Sequence, residues 1–248
     1  MMNKVIAAIL VLATIGSAKA QDSLTNTIGK PKKLDLSNRP NDHLVLQYGV
    51  AGWAGNVPDS AKPGGFSRFF NFYFMLDKPF KSDPHFSLGI GAGIGADNIF
   101  FKDKIVNISG TGSTLSFSDR SSGGDRFNKF KLTTIYVDVP LEIRYAQHPE
   151  NPDKGFKASF GVKAGFLLKA YTKGKNYQNS SGQSLYGSGY IRKEYDKRFF
   201  NSTRLAAIGR IGLGHIALSG SYQFTSLLKS GAGPAINPFN IGLTLTGL

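Results

Sequence analysis

Residues 85–97 alternate without a break. Phe86, Leu88, Ile90, Ala92, Ile94 and Ala96 hold one parity, and Ser87, Gly89, Gly91, Gly93 and Gly95 hold the other. Side chains alternate faces along a strand, so this stretch has one apolar face and one nearly empty face; a helix would mix the two sets. The pattern returns over 131–145, 156–172 and 216–225, and more weakly over 43–54, 66–78, 200–213 and 239–247. Each segment is long enough for the ~9–11 tilted residues of a membrane strand.

The connections carry a second signal. They cover roughly 55–65, 79–84, 98–130, 146–155, 173–199, 214–215 and 226–238, and their lengths alternate long and short. Outer-membrane barrels combine an even strand count with short periplasmic turns and long external loops. The expected fold is therefore all-β, an eight-stranded antiparallel up-and-down transmembrane barrel with both termini periplasmic. A soluble lipocalin-like calyx also alternates, but its second face meets water and should be dense in charge. Here that parity is mostly Gly, Ser, Thr, Asn and Gln, and charged residues are only 19% of the chain. Glycine, 30 of 248 residues, fits a narrow lumen better than a solvated wall.

The first residues set the compartment. Lys4, the apolar run from Val5 to Ile15 and Ala18-Lys19-Ala20 read as a signal peptide over 1–20, cleaved before Gln21. This eleven-residue run, broken only by Thr14, is too short for a spanning helix, which takes ~20. Residues 21–42 are then a polar periplasmic lead-in, and 43–248 the barrel domain. Loss of Lys4 and Lys19 lowers the net charge from +14 to +12. With no cysteine, disulfides, thiolate metal sites and cysteine nucleophiles are excluded.

The chain resembles the PorT-like outer-membrane β-barrels of Bacteroidetes. The resemblance rests on Ala18-Lys19-Ala20-Gln21 and on Val137-Asp138-Val139-Pro140-Leu141-Glu142-Ile143-Arg144-Tyr145. It continues from Arg210-Ile211-Gly212-Leu213-Gly214 through Ser221-Tyr222-Gln223-Phe224 to Gly233-Pro234 and Ile241-Gly242-Leu243. It implies an eight-stranded barrel in the outer membrane of a Gram-negative bacterium, and secretion or gliding proteins as partners.

Two sets of residues stand out. Lys157, Lys163 and Lys169 share one parity, and Arg144, Arg204 and Arg210 lie on polar parities, with Asp77, Asp138 and Glu142 to balance them. A narrow barrel fills its interior with side chains, so a lumen charge network is expected; the competing reading is an anion-selective pore. The second set is the basic loop with Lys173, Lys175, Arg192, Lys193, Lys197 and Arg198, expected to meet anionic head groups of lipid and lipopolysaccharide.

His43, His85, His148 and His215 all fall at the short-turn side without metal-ligand spacing, which leaves the outer leaflet without a histidine for Ser-His chemistry. Trp53, Phe80, Phe100, Tyr145, Tyr171 and Phe239 fit either interfacial girdles or loop-packing anchors. The expectation is a non-enzymatic structural, binding or secretion-accessory barrel without cofactor or nucleic acid. The alternatives are a narrow anion or solute channel and a soluble lipocalin-like barrel.

Overall fold

The computed structural model describes Leu36, Arg39 and residues 44–247. The expected signal peptide, most of the lead-in and His43 lie outside the described residues. Eleven strands follow in chain order: β1 (Leu44–Gly55), β2 (Arg68–Pro79), β3 (Phe86–Phe101), β4 (Lys104–Asn107), β5 (Ser116–Asp119), β6 (Arg126–Ala146), β7 (Phe156–Gln178), β8 (Ile191–Tyr195), β9 (Thr203–Leu213), β10 (Ile216–Gln223) and β11 (Ile236–Thr246). Eight of them close a ring, β1-β2-β3-β6-β7-β9-β10-β11, with β11 returning to β1 from Val45↔Thr246 to Gly55↔Ile236. All neighbours are antiparallel. Closure leaves no barrel edge unpaired. β4 and β5 form a separate hairpin, and β8 pairs with the upper part of β7 beyond the end of β9.

One end of the barrel carries the short turns after β2, β6 and β9, and also the start of β1 and the end of β11. The turn after β9 is only Gly214 and His215, and Gly214 takes φ +59, a backbone state that favours glycine. The other end carries the long connections. Strands β6 and β7 run well past the expected limits of 131 and 172, so part of each expected loop is sheet. Pro140, with no N–H to give, sits mid-strand where the β3–β6 ladder skips from Ile90↔Leu141 to Gly93↔Asp138.

The expected parity holds over the short-turn half. Phe74, Ile90, Leu141, Val162, Leu218 and Ile241 all point outward and are exposed, while Asn71, Asp138, Glu142 and Lys163 point inward and are buried. On β6 the outward apolar row runs from Ile135 to Tyr145. At about 3.3 Å per residue and about 40° of tilt, that row spans about 25 Å along the barrel axis, the height of an outer-membrane apolar band.

Above Ile135 the polarity inverts. Phe130, Leu132 and Ala170 now face inward and are buried, while Lys129, Lys131, Lys173 and Lys175 face outward. The ladder shifts register at Ile135/Tyr136, pairing Ile135 with Lys169 and Tyr136 with Leu167 and leaving Leu168 as the extra residue. A bulge of this kind changes the face of every residue beyond it.

Candidate functional site

The middle of the lumen is filled by one buried ion-pair cluster. Arg204 of β9 holds Asp138 of β6 through two parallel bonds, Nε to Oδ1 at 2.9 Å and Nη2 to Oδ2 at 2.6 Å. Its Nη1 donates to Asp97 Oδ2 of β3 at 3.0 Å, and its guanidinium lies 4.0 Å from the Tyr136 ring centroid. Lys163 Nζ of β7 is 3.6 Å from Asp138 Oδ2 and donates to the Tyr73 hydroxyl at 3.2 Å, and that hydroxyl donates to Asp138 at 2.9 Å. Asn240 of β11 donates to the second oxygen of Asp97. Two cations thus meet two carboxylates with Asp138 fully excluded from solvent. The glycine at position 95 makes the space: a Cβ there would lie 2.5 Å from Arg204 Nη2 and 2.7 Å from Asp138 Oδ2.

A second cluster lies nearer the short-turn end. Glu142 accepts from Arg210 and, at 3.2 Å, from Arg144 Nε. Arg144 also approaches Asp77 Oδ1 at 3.6 Å, and Ser87 donates to the same oxygen at 2.6 Å. Arg39, from the lead-in, inserts into this mouth and meets Asp77 Oδ2 at 2.5 Å, with both side chains 5% exposed. Two small cavities accompany the clusters, of about 40 Å³ at the mouth and about 20 Å³ beside Lys163 and Glu142. Each is room for little more than one or two waters.

The expected lumen residues therefore divide. Arg144, Arg204, Arg210, Asp138, Glu142 and Lys163 come together inside. Lys157 faces inward but stands apart at the short-turn mouth, bound to Asp153 at 3.3 Å and Thr246 Oγ1 at 2.6 Å. Lys169 is exposed on the outer wall, because the Leu168 bulge reverses the parity that placed it in the lumen. Asp97, Tyr73 and Tyr136 were not singled out in the sequence, although each lies on the lumen parity of its strand; Arg39 carries no periodic signal at all. His85 pairs with Asp83 in the β2–β3 turn at 2.9 Å, and His148 and His215 lie in the other short turns. Among the described residues no group of three metal-type ligands converges.

The long-loop end is closed by hydrocarbon. Phe69, Phe101, Val106, Ile108, Phe200 and Ile236 belong to one buried cluster that joins strand ends to the loops. Trp53 packs into it, 5.6 Å from Phe101 and 6.4 Å from Phe117, so it anchors loops instead of standing in a girdle. Tyr145, between Phe86 and Phe156, does sit outward at the short-turn rim.

The expected head-group loop also divides. Lys173, Lys175 and Lys193 lie on the outer wall. Arg192 pairs with Glu194 at 2.5 Å on the opposite face of β8. Arg198 donates to the Gly110 carbonyl and stacks 4.4 Å over Phe199, tying the loop to the cap; Lys197 is exposed beside it. In these solvated connections Asp59, Asp83 and Asp119 are held below the ordinary aspartate value by hydrogen bonds from Lys62, His85 and Ser121 respectively.

The chain can now be set beside known proteins. Its fold is similar to the crystal structure of Ail, the attachment invasion locus protein of Yersinia pestis. That match has 10% identity over 84% of this chain and 97% of that one, with a TM-score of 0.37. A second structure of the same protein, in complex with the heparin analogue sucrose octasulfate, matches at 10% identity over 82% and 94%, with a TM-score of 0.35. No curated protein matches the chain. The family model of an outer membrane protein beta-barrel domain matches residues 43–230. That match covers the ring from β1 through β10, and the chain belongs to the outer membrane protein beta-barrel domain family.

Proposed function

We propose that the chain is a closed, non-conducting and non-enzymatic barrel that presents its long-loop end outside the cell and keeps both termini in the periplasm. The observation that carries this reading is the filling of the lumen at two levels. Asp138, Arg204, Asp97 and Lys163 neutralise one another at mid-height, and the apolar cap closes the long-loop end above them. An anion path would have to break the Arg204–Asp138 pair and then cross packed Phe, Leu and Ile side chains. Neither step suits a resting pore.

The clusters join residues from six of the eight barrel strands, β2, β3, β6, β7, β9 and β11, which suits a device that fixes register. The described histidines all lie at the short-turn end, away from the face where lipid or surface substrates would be met. The resemblance to PorT-like barrels supports an accessory role beside secretion or gliding proteins of the outer membrane.

Planar bilayers containing the folded full-length chain test the reading. The expected record is a flat baseline without discrete openings at either polarity. A steady open-state current would overturn it in favour of a narrow channel.

A further inference from the structure

Register places like charges face to face on the outer wall just above the apolar band. Lys129 of β6 stands opposite Lys175 of β7, Lys131 stands opposite Lys173, and Lys173 stands opposite Lys193 of β8. Between them Phe130, Leu132 and Thr172 turn inward and are buried, and a Cβ on Gly174 would run into the Phe127 ring inside. The five ammonium groups therefore share the outer face. Directly opposed side chains in a sheet stand about 4.5–5.5 Å apart at Cβ, and like charges there repel.

Among the described residues no carboxylate pairs with any of the five. Glu194, the acid of β8, is directed to the other face with Arg192. Arg68 of β2 continues the row past Phe100 of β3, whose ring centroid lies 5.4 Å from Arg68 Cζ and 5.8 Å from Lys131 Nζ.

Position identifies what such a row would hold. Lys131 is two strand positions above Thr133 and four above Ile135, where the apolar row begins. Tyr171 and Tyr195 flank the row with centroids 5.3 Å apart, an arrangement suited to a membrane–water boundary. We infer that the lysine ladder is a binding site for the phosphate groups of a phosphorylated glycolipid in the outer leaflet, with the acyl chains of that lipid lying on Val137, Phe166 and Leu168 below. Anionic phosphate between opposed lysines turns the repulsion into charge-assisted hydrogen bonding from several donors. A soluble anion would satisfy the ammonium groups but leave the adjoining apolar wall unused. The inference rests on the reading that the long-loop end faces the outer leaflet.

The test uses the folded full-length chain in nonionic detergent, titrated with bisphosphorylated lipid A, and follows thermal loss of the heat-modifiable folded form. The variant K131Q/K173Q/K193Q is compared with K81Q/K154Q/K229Q, which removes three exposed lysines outside the ladder and outside the basic loop. Without lipid the ladder variant is expected to melt close to the parent temperature, since the repulsion removed offsets the 2.6 Å hydrogen bond that Lys131 Nζ donates to Asn98 Oδ1. With lipid A the parent and control are expected to gain stability, and the ladder variant to need about 100-fold more lipid for half the effect, from three lost lysine–phosphate attractions.

Equal half-saturation in parent and ladder variant would overturn the proposal. So would an equal effect of dephosphorylated lipid A, or the same gain from inorganic phosphate alone. Protease cleavage of the long loops in intact cells separates the two readings: cleavage together with equal half-saturation sinks the ladder alone, whereas protected loops sink the orientation beneath it.

Discussion

Two zones of the barrel wall have the same backbone and opposite chemistry. In the short-turn zone β6 and β7 turn Val139, Leu141, Phe160 and Val162 outward and Asp138, Glu142 and Lys163 inward. Above the level of Ile135 and Leu168 the same strands turn Lys131 and Lys173 outward and Phe130, Leu132 and Ala170 inward. Each face takes its character from the solvent beyond it. Where lipid surrounds the wall, an apolar lumen would give the strands two apolar faces and nothing to choose between registers; inward charge makes the choice. Where water surrounds the wall, hydrocarbon gains by turning in, as in any soluble sheet. On this reading the inversion is the level at which a lipid-facing wall gives way to a water-facing one.

The largest effect is expected inside the lipid zone, where a lost partner leaves charge that water cannot reach. Asp138→Ala removes the carboxylate shared by Arg204 and Lys163, and should destabilise the folded barrel by about 3–5 kcal/mol. Urea titration of the folded form in lipid vesicles measures it. Lys163→Met should cost less, because Asp138 keeps the two bonds from Arg204. A loss for Asp138→Ala within the ~1 kcal/mol of an exposed pair would mean that the lumen is wet and the contrast between the zones is weaker than the geometry implies.

The same inversion explains what could be read from the sequence. The eight strands were legible because one parity stays apolar across the lipid zone, as in Phe86 to Ala96. The upper ends of β6 and β7 were not. There Lys129, Lys131, Lys173 and Lys175 replace the outward hydrocarbon, so a search for an outward apolar face ends at the membrane boundary and assigns the rest to loop. The lumen parity was legible where it is regular, and Arg204, Asp138 and Lys163 lie together on it. Lys169 did not, because one extra residue at Leu168 shifts parity and alternation alone gives no sign of a bulge. The cap was invisible for another reason. Phe199, Phe200, Leu227 and Leu228 are adjacent pairs in connections, and such pairs have no period; only the closed barrel shows that they converge. Arg39 depends likewise on a contact with Asp77 across 38 residues of sequence.

A lysine placed on the outer wall of β7 sharpens the contrast directly. Val162 lies opposite Leu141 near the middle of the apolar band and is 42% exposed to what surrounds the barrel. Val162→Lys puts an ammonium group into hydrocarbon and should cost about 2–4 kcal/mol in vesicles, falling where the bilayer is thinner. In nonionic detergent micelles, which let the side chain reach water more easily, the loss should shrink. An equal loss in both media would point to packing and not to the membrane as its source.

The smallest effect should come from the same substitution six residues further on. Leu168 is the extra residue of the bulge, outward and 44% exposed, directly before Lys169 and three residues before Tyr171. If the membrane boundary lies where the wall changes character, Leu168→Lys adds a cation beside one already present, at a depth where charge costs only about 0–1 kcal/mol. The pair of variants thus works as a depth gauge, since the same ammonium group is placed on the outer face of the same strand at two heights. A cost at Leu168 matching that at Val162 would put the lipid boundary above Lys169. That would narrow the margin between hydrocarbon and the lysine ladder, whose lowest pair, Lys131 and Lys173, stands four strand positions above Ile135 and Lys169.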